Sequence, residues 1–171
     1  MKHISIDIET LGTSTDALVL QIGACEFDPA THQIGAKMKL NLYADEQKDR
    51  KIDFDTVRWW MEQDRVIAHE VFNKPDTTLQ VAKDMLEDFT KGADCIWANP
   101  PGFDCSILRS LFSDSRPLWS YRKERCFRTM KNMHDPDGKL KPPVNLAKHD
   151  ALADAVWQAS YLINIFYECN L

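Results

Sequence analysis

A short apolar stretch near the start of the chain carries two carboxylates at a spacing that suits metal chemistry. In residues 4–11, ISIDIETL, isoleucines alternate with Ser5, Asp7 and Glu9. This alternation predicts a β-strand with both acids on one face, their Cα atoms about 6.5–7 Å apart. Two carboxylates at that distance can converge on one divalent ion or on two. The alternative is an edge strand whose acidic face is simply solvated.

Two further acids and a histidine stand later in the chain beside apolar segments. Asp104, in NPPGFDCSIL, lies in the first turn of a predicted helix, where the helix dipole alone would favour an acid. Asp154, in HDALADAVWQA, follows His149 by five residues and lies beside the apolar stripe of the last predicted helix. Acids are seldom buried without a partner or a metal. A histidine at a helix start is more often a cap or surface residue, so His149 alone is weak evidence of function.

Taken together, these residues predict a divalent-metal centre that acts on phosphate esters. Four carboxylates in one pocket repel one another unless cations lie between them, and hard oxygen ligands suit Mg²⁺ or Mn²⁺. Two ions about 3.5–4 Å apart support in-line displacement at phosphorus, one by holding and ionising the attacking water and the other by stabilising the leaving oxygen. A neutral histidine beside the pocket can accept the proton of that water, because its pKa is near neutrality.

Hydrophobic periodicity and turn residues predict the elements that position these side chains. Beyond the first strand, strands are expected at residues 17–27, 35–42, 95–98 and near 126–127. Helices are expected from Thr56 with Asp55 as its cap, at 78–90, at 103–111, and from His149 to about 167. The first three strands would form an antiparallel meander. Strands followed by alternating helices and strands indicate an α/β domain with a central mixed β-sheet flanked by helices.

Composition narrows the class of protein. The 171 residues, 44% hydrophobic and 27% charged, are enough for one domain with a sizeable core. There is no run of 18 apolar residues and no signal-peptide pattern, so no membrane contact is expected. The five cysteines are scattered and contain no Cys-x-x-Cys pair, so their spacing does not indicate a zinc site. Their odd number and scatter fit a reducing cytoplasm best.

The charge of the chain is unevenly distributed. The net charge of −5 argues against a general nucleic-acid coat protein. From Arg116 to Lys148, however, nine Lys and Arg residues stand against three acids, which gives this segment a net charge of +6. A basic segment in an acidic protein can bind a phosphate backbone, although charge runs are more often solvated surface.

Three motifs in this order resemble those of the DEDDh family, the DnaQ-like 3′–5′ exonucleases with a ribonuclease H-like fold. They are Asp7-x-Glu9, Asn99-x-x-x-Phe103-Asp104 and His149-x-Ala151-x-x-Asp154. Their separations, roughly 95 and 50 residues, also match, and the likeness spans nearly the whole chain as a single exonuclease domain, 1–171. The resemblance implies that His149 is the general base. It also implies two Mg²⁺ ions, for which Mn²⁺ can substitute, and their ligands would be Asp7, Glu9, Asp104 and Asp154.

The resemblance also implies residues that contact substrate. Thr10, Leu11 and Gly12 correspond to the stretch that meets the terminal nucleotide, and Phe103 belongs to the second motif. Leu11 would pack against a base, and ordinary core packing is its alternative. The insert at residues 100–102, PPG, is unusual beside the second motif and bears on how Asp104 is held.

Two further segments resemble a small branch of phage and bacterial exoribonuclease-like proteins. These are TVRWWMEQ at residues 56–63 and CFRTM at residues 126–130. In that branch Trp60 and Arg128 become candidates for substrate contact, with Arg128 on a phosphate. The alternatives are a core position for Trp60 and a surface position for Arg128.

These observations favour a metal-dependent 3′–5′ exonuclease that releases nucleoside 5′-monophosphates from single-stranded 3′ ends. RNA is favoured over DNA by the branch resemblance only. The alternatives are a DNA-directed enzyme with the same fold, an inactive relative that binds nucleic acid, and a purely structural role for the acids, which predicts no metal binding. Pairing into a homodimer is expected by analogy alone.

Overall fold

A five-stranded mixed sheet forms the centre of the computed structural model, which describes residues 1–113, 117–145 and 147–170. In chain order its strands are β1 (His3–Thr10), β2 (Val19–Asp28), β3 (Gln33–Asn41), β4 (Cys95–Ala98) and β5 (Glu124–Cys126). They lie in the order β3-β2-β1-β4-β5. The pairs β1–β2 and β2–β3 are antiparallel, whereas β1–β4 and β4–β5 are parallel. The meander and the mixed sheet predicted from the sequence are confirmed.

Six α-helices flank this sheet in the described part of the chain. They are α1 (Phe54–Met61), α2 (Arg65–Asn73), α3 (Leu79–Thr90), α4 (Asp104–Leu111), α5 (Phe127–His134) and α6 (Ala151–Cys169). One core lies between the isoleucine face of β1 and helices α3 and α4, and a second lies between the other face of the sheet and helices α5 and α6. Both faces of an α/β sheet are thereby covered. None of the helices in the described part of the chain is long and apolar enough to cross a bilayer.

The acidic face of β1 is enclosed. β1 lies at the centre of the sheet, between β2 and β4, so it is not an edge strand. Ser5 is fully buried, Glu9 is 8% exposed and Asp7 is partly buried. The alternative of a solvated edge strand is therefore wrong, and the two carboxylates need a physical reason to be there.

The first helix begins two residues earlier than its sequence predicts. α1 starts at Phe54, and its N-cap is Asp53, whose carboxylate accepts a hydrogen bond from the backbone N–H of Asp55 at 2.8 Å. The backbone of Asp53 is extended, as an N-cap requires, whereas Asp55 already lies in the first turn.

The last helix begins two residues later than expected. Its N-cap is Asp150, whose carboxylate accepts from the backbone N–H of Ala153 at 3.1 Å. His149 lies in the turn before the helix with a φ of 69°. The histidine is therefore held by a turn rather than by helical backbone.

Two short helices, α2 and α5, were not predicted from hydrophobic periodicity. α2 has a clear cap, since Asp64 accepts from the backbone N–H groups of Val66 and Ile67, but Val71 is its only fully buried residue. α5 buries only Phe127. Helices of eight or nine residues that bury one side chain leave almost no apolar stripe in the sequence.

A glycine in β2 allows α6 to approach the sheet at the site of the acids. Gly23 pairs with Asp7 across the β1–β2 ladder. A Cβ atom built on Gly23 would lie 2.2 Å from the carbonyl carbon of Ala151 and from the backbone N of Leu152. No real Cβ makes such contacts, so the first turn of α6 can take its place only above a glycine.

We expect Gly23→Ala to destabilise the protein by about 1–3 kcal/mol or more, because the added methyl group must push the backbone of α6 off the sheet. Urea unfolding followed by circular dichroism measures this change. Gly35→Ala is the matched control on β3, where the new Cβ would meet its nearest neighbour at 3.5 Å, an ordinary contact. Equal stabilities of the two variants would contradict the close packing of α6 on β2.

Candidate active site

Four carboxylates from three elements converge at one end of the sheet. Asp7 and Glu9 project from β1, Asp104 begins α4, and Asp154 lies in the first turn of α6. The charges of Asp104, Glu9 and Asp154 each raise the pKa of Asp7, which shows that the four groups share one region. The sequence placed the same four residues in one pocket, and the fold brings them together.

Glu9, His149 and Asp154 form the tightest part of this cluster. A ligand atom from each, a carboxylate oxygen or an imidazole nitrogen, lies within 4.8 Å of the other two. This triplet brings together the end of β1, the turn before α6 and the first turn of α6. A divalent cation or a water molecule placed among the three would meet an oxygen or nitrogen of each.

Burial and mutual repulsion suppress ionisation of the acids. Burial is the largest cause that raises the pKa of Asp7 and of Glu9 well above the usual range, and the neighbouring carboxylates raise both further. Burial also raises the pKa of Asp104 to about 7, although hydrogen bonds from backbone N–H groups and the charge of Arg128 oppose it. The pKa of Asp154 is raised by burial as well. A cluster of hard oxygen donors with this excess of negative charge fits divalent cations such as Mg²⁺.

Hydrogen bonds from neighbouring groups orient Asp154. Its Oδ1 accepts from Nδ2 of Asn145 at 2.7 Å, and its Oδ2 accepts from the backbone N–H of His149 at 2.8 Å. The turn that carries the histidine is thus tied to the carboxylate. Sequence reasoning missed Asn145, because an asparagine in a Pro-rich, Lys-rich segment carries no periodic signal.

The insert at residues 100–102 forms a turn that leads directly into α4. The carbonyl oxygen of Pro100 accepts from the backbone N–H of Phe103 at 2.9 Å, and the Asn99–Pro100 peptide bond is cis. The backbone N–H of Asn99 donates to Oδ2 of Asp104 at 3.2 Å. Asp104 is only 2% exposed. The unusual loop therefore keeps this carboxylate within the acid cluster.

His149 is half-buried and faces both the acids and an aromatic side chain. Its ring lies edge-on to the ring of Trp59, with 4.7 Å between the centroids. Burial, followed by the charge of Lys148, lowers the pKa of His149, and the charge of Asp154 partly opposes this. The imidazole is therefore neutral at pH 7 and can accept a proton.

A network of polar groups fixes the N-terminus of α6. The carboxylate of Asp150 pairs with Nζ of Lys39 on β3. The backbone N–H of Ala151 donates to Oε1 of the buried Gln21 at 2.7 Å, and Nε2 of Gln21 donates in turn to Asn41. These contacts join α6 to β2 and β3, so the positions of His149 and Asp154 are set by the sheet.

A cavity of about 450 Å³ opens beside the acids. It is lined by Ile8, Glu9, Thr10, Gly12, Thr13, Asp53, Asp55, Thr56, Trp59, Trp60 and Phe103. The lining includes four of the residues implied to contact substrate, Thr10, Gly12, Trp60 and Phe103. Leu11 is 7% exposed and packs in a small apolar cluster with Leu18 and Leu20, which fits its core alternative; its contact with a base stays a prediction.

The two tryptophans of α1 have different positions. Trp60 is 2% exposed, packs in the same small cluster as Leu11, and donates from Nε1 to the carbonyl oxygen of Thr10 at 3.0 Å. Trp59 is 39% exposed and lies against His149. The burial of Trp60 fits its core alternative, which the apolar spacing from Val57 also favours, and its contact with substrate stays a prediction.

The basic segment lies partly around the acid cluster. Arg128 is exposed at the start of α5, and its charge reaches Asp104. Lys141 and Lys148 line a smaller cavity of about 210 Å³ next to Asp154. Lys139 pairs with Asp137 at the surface, and Arg116 lies outside the described residues. Basic side chains thus lie near Asp104 and Asp154.

The sequence matches a family model over residues 2–166, and that family is described as the 3′-5′ exoribonuclease Rv2179c-like domain. A search of curated proteins found no significant match. The match to the family model covers nearly the whole chain and includes all three acidic motifs.

Several solved structures share the fold. They include E. coli exonuclease I in complex with a dA16 oligonucleotide (TM-score 0.71, 15% identity, covering 97% of this chain and 41% of that one). The zinc-ion-bound E. coli exonuclease I–ssDNA complex has a TM-score of 0.68 and 15% identity, and the match covers 98% of this chain and 40% of that one. Product-bound exonuclease I has a TM-score of 0.67 and 18% identity, and the match covers 97% of this chain and 43% of that one. At an identity this low, the structural likeness shows only that the chains share the ribonuclease H-like fold. The chain spans about two-fifths of the length of these neighbours.

The free energy of unfolding of the metal-free protein is expected to fall as the pH rises from about 4 to about 7. In this range the folded protein retains protons that the unfolded chain releases, because the pKa of Asp104 is about 7 instead of 3.8, and those of Asp7 and Glu9 are raised in the same direction. Each unit of raised pKa corresponds to about 1.4 kcal/mol. Urea titrations at about pH 5 and pH 8 measure the difference.

Asp104→Asn should flatten this pH dependence, and Asp137→Asn, at an exposed ion pair, should leave it unchanged. Millimolar Mg²⁺ should stabilise the protein more at the higher pH, since protons and cations compete for the same oxygens. A metal-free protein whose stability does not fall between these pH values would contradict the buried acid cluster.

Proposed function

Because this chain belongs to the 3′-5′ exoribonuclease Rv2179c-like domain family, we propose that it is a divalent-metal-dependent 3′–5′ exonuclease of single-stranded nucleic acid. It hydrolyses the phosphodiester bond at the 3′ end and releases nucleoside 5′-monophosphates. The observation that carries this proposal is the convergence of Asp7, Glu9, Asp104 and Asp154 beside a neutral His149.

Two Mg²⁺ ions, replaceable by Mn²⁺, are the proposed cofactors. The four carboxylates would hold them, and their raised pKa values support this assignment, since cations would remove the repulsion. When bound, such ions activate water and stabilise the charge that develops on the phosphate. Asn145 and the backbone N–H of His149 keep Asp154 oriented for this purpose.

His149 is the proposed general base. Its nearness to Glu9 and Asp154 supports this role, and its lowered pKa leaves a ring nitrogen free to accept a proton at neutral pH. Trp59 restrains the ring from its other side. The positive φ of His149 sets the direction from which the ring enters the cluster.

The cavity beside Glu9 is the proposed site of the terminal nucleotide. Its exposed aromatic surface is Trp59, which supports base stacking that tolerates any sequence. Lys141 and Lys148, on the other side of Asp154, and Arg128 supply positive charge for the backbone phosphates. Trp60 supports the site from within the core by its hydrogen bond to Thr10.

RNA is the proposed substrate class, supported by the description of the family. DNA is the second candidate, because the structural neighbours include exonuclease I bound to DNA oligonucleotides. A cytoplasmic location is proposed from the five free cysteines, two of which, Cys25 and Cys105, have thiol pKa values raised by burial. Assembly into a homodimer stays a prediction.

The reaction is tested with single-stranded RNA and DNA oligomers of one sequence, labelled at the 3′ or the 5′ end, in Mg²⁺, Mn²⁺ or EDTA. We expect 5′-labelled RNA to give a metal-dependent ladder that shortens from the 3′ end, faster than DNA. Asp7→Asn should abolish the ladder while the fold is retained, and His149→Ala should slow it by about 10²–10⁴-fold.

Asp137→Asn is the control for a surface carboxylate and should be fully active. An active Asp7→Asn variant would overturn the assignment of the site. Loss of Mn²⁺ binding in His149→Ala would reassign the histidine from base to ligand. Binding of both oligomers without cleavage would identify an inactive relative.

Trp59→Ala is expected to weaken binding of single-stranded RNA by about 1–3 kcal/mol, because one stacked base loses its partner. Fluorescence anisotropy with a labelled oligomer in Ca²⁺ or EDTA measures the affinity without turnover. Met61→Ala, also on α1 and 81% exposed, is the matched control and should bind as the wild type does. Unchanged affinity in Trp59→Ala would remove Trp59 from the substrate site.

A further inference from the structure

α6 carries a buried carboxamide beside the acid cluster. Gln158 is 3% exposed and stands one helical turn after Asp154, so that both side chains project from the same side of α6. Its Nε2 donates a hydrogen bond to Oδ1 of Asp7 at 2.8 Å. Asp154 thus faces Glu9 while Gln158 faces Asp7, and one helix supplies a partner to each carboxylate of β1.

Folding gains little from this amide. Its neighbours on the buried face of α6, Ala155, Ala159 and Leu162, are apolar, and an apolar side chain would fill the same space. Oε1 of Gln158 is buried without a hydrogen-bond partner among the described residues. An unsatisfied buried acceptor costs about 1–3 kcal/mol. The polar side chain is buried at a cost, and the one hydrogen bond that it makes to the described residues is to the acid cluster.

We propose that Gln158 is a positioning residue that fixes the carboxylate of Asp7 for a divalent cation. This inference rests on the proposed function. The amide occupies one lone pair of Oδ1 and so restricts rotation of the carboxylate before any ion arrives. Because the amide is neutral, it forms no ion pair with Asp7 that would compete with the cation, as a lysine or arginine would.

The same arrangement explains why the donor comes from α6. A hydrogen-bonding partner outside the ligand set holds a ligand in the orientation that the ion requires. Since Asp154 and Gln158 lie one turn apart on a rigid helix, the orientation of Asp7 is coupled to the position of Asp154. Removing the donor should therefore weaken cation binding while leaving all four carboxylates in place.

The test is Mn²⁺ binding to the metal-free full-length chain, measured by isothermal titration calorimetry. Gln158→Met keeps the length of the side chain and removes the donor, and we expect it to raise the Kd for Mn²⁺ by about 10- to 100-fold. Gln158→Leu is a second variant of similar volume, and circular dichroism melts identify which of the two is folded. Asn164→Leu is the matched control, because it removes a carboxamide of α6 that donates to the carbonyl oxygen of Leu140, away from the acids.

A double-mutant cycle separates a positioning role from a general loss of packing. If Gln158 acts through Asp7, Gln158→Met should add less than a twofold change in the Kd to that of Asp7→Asn. Wild-type affinity in a folded Gln158 variant would overturn the positioning role and leave the proposed function intact, as would an Asn164→Leu variant that loses as much affinity. A wild-type chain that binds no Mn²⁺ would overturn both.

Discussion

Mutual repulsion among carboxylates in a confined space is the constraint on which the rest of this structure depends. Asp7, Glu9, Asp104 and Asp154 are buried or partly buried within reach of one another, and each has a raised pKa. Packing alone does not favour such a cluster, because each ionised carboxylate loses hydration and meets like charge. The arrangement becomes reasonable when cations share the oxygens, and the surrounding architecture keeps the cluster intact until they do.

That architecture works by close approach of α6 to the sheet. Gly23 lets the helix backbone lie directly on β2, while Gln21 and Lys39 hold its first turn by hydrogen bonding and charge. The turn before the helix then presents His149 to the acids, and the helix presents Asp154 and, one turn later, Gln158. One tight contact between a helix and a strand thereby sets the geometry of the base, a ligand and a residue that orients another ligand.

Sequence alone predicted what depends on periodicity and on acidic motifs. The alternation around Asp7 gave the correct strand, and the fold brings all five motif residues into one site. Contacts made by polar groups at irregular positions could not be predicted: Asn145 and Gln158 have no periodic signature, and their roles depend on which carboxylate each one reaches. The exposed position of Trp59 could have been predicted, because the spacing of apolar residues on α1 already placed its neighbour Trp60 in the core.

Anomalous diffraction from crystals of the protein grown with Mn²⁺ shows directly whether the four carboxylates bind cations. We expect anomalous peaks within coordination distance of oxygens from Asp7, Glu9, Asp104 and Asp154, with two ions at full occupancy. The peaks should weaken in Asp7→Asn crystals grown under the same conditions. The wild-type crystals are grown at a Mn²⁺ concentration that supports activity in solution. A map with no peak at the acid cluster would then contradict the claim that these carboxylates are held together for cations.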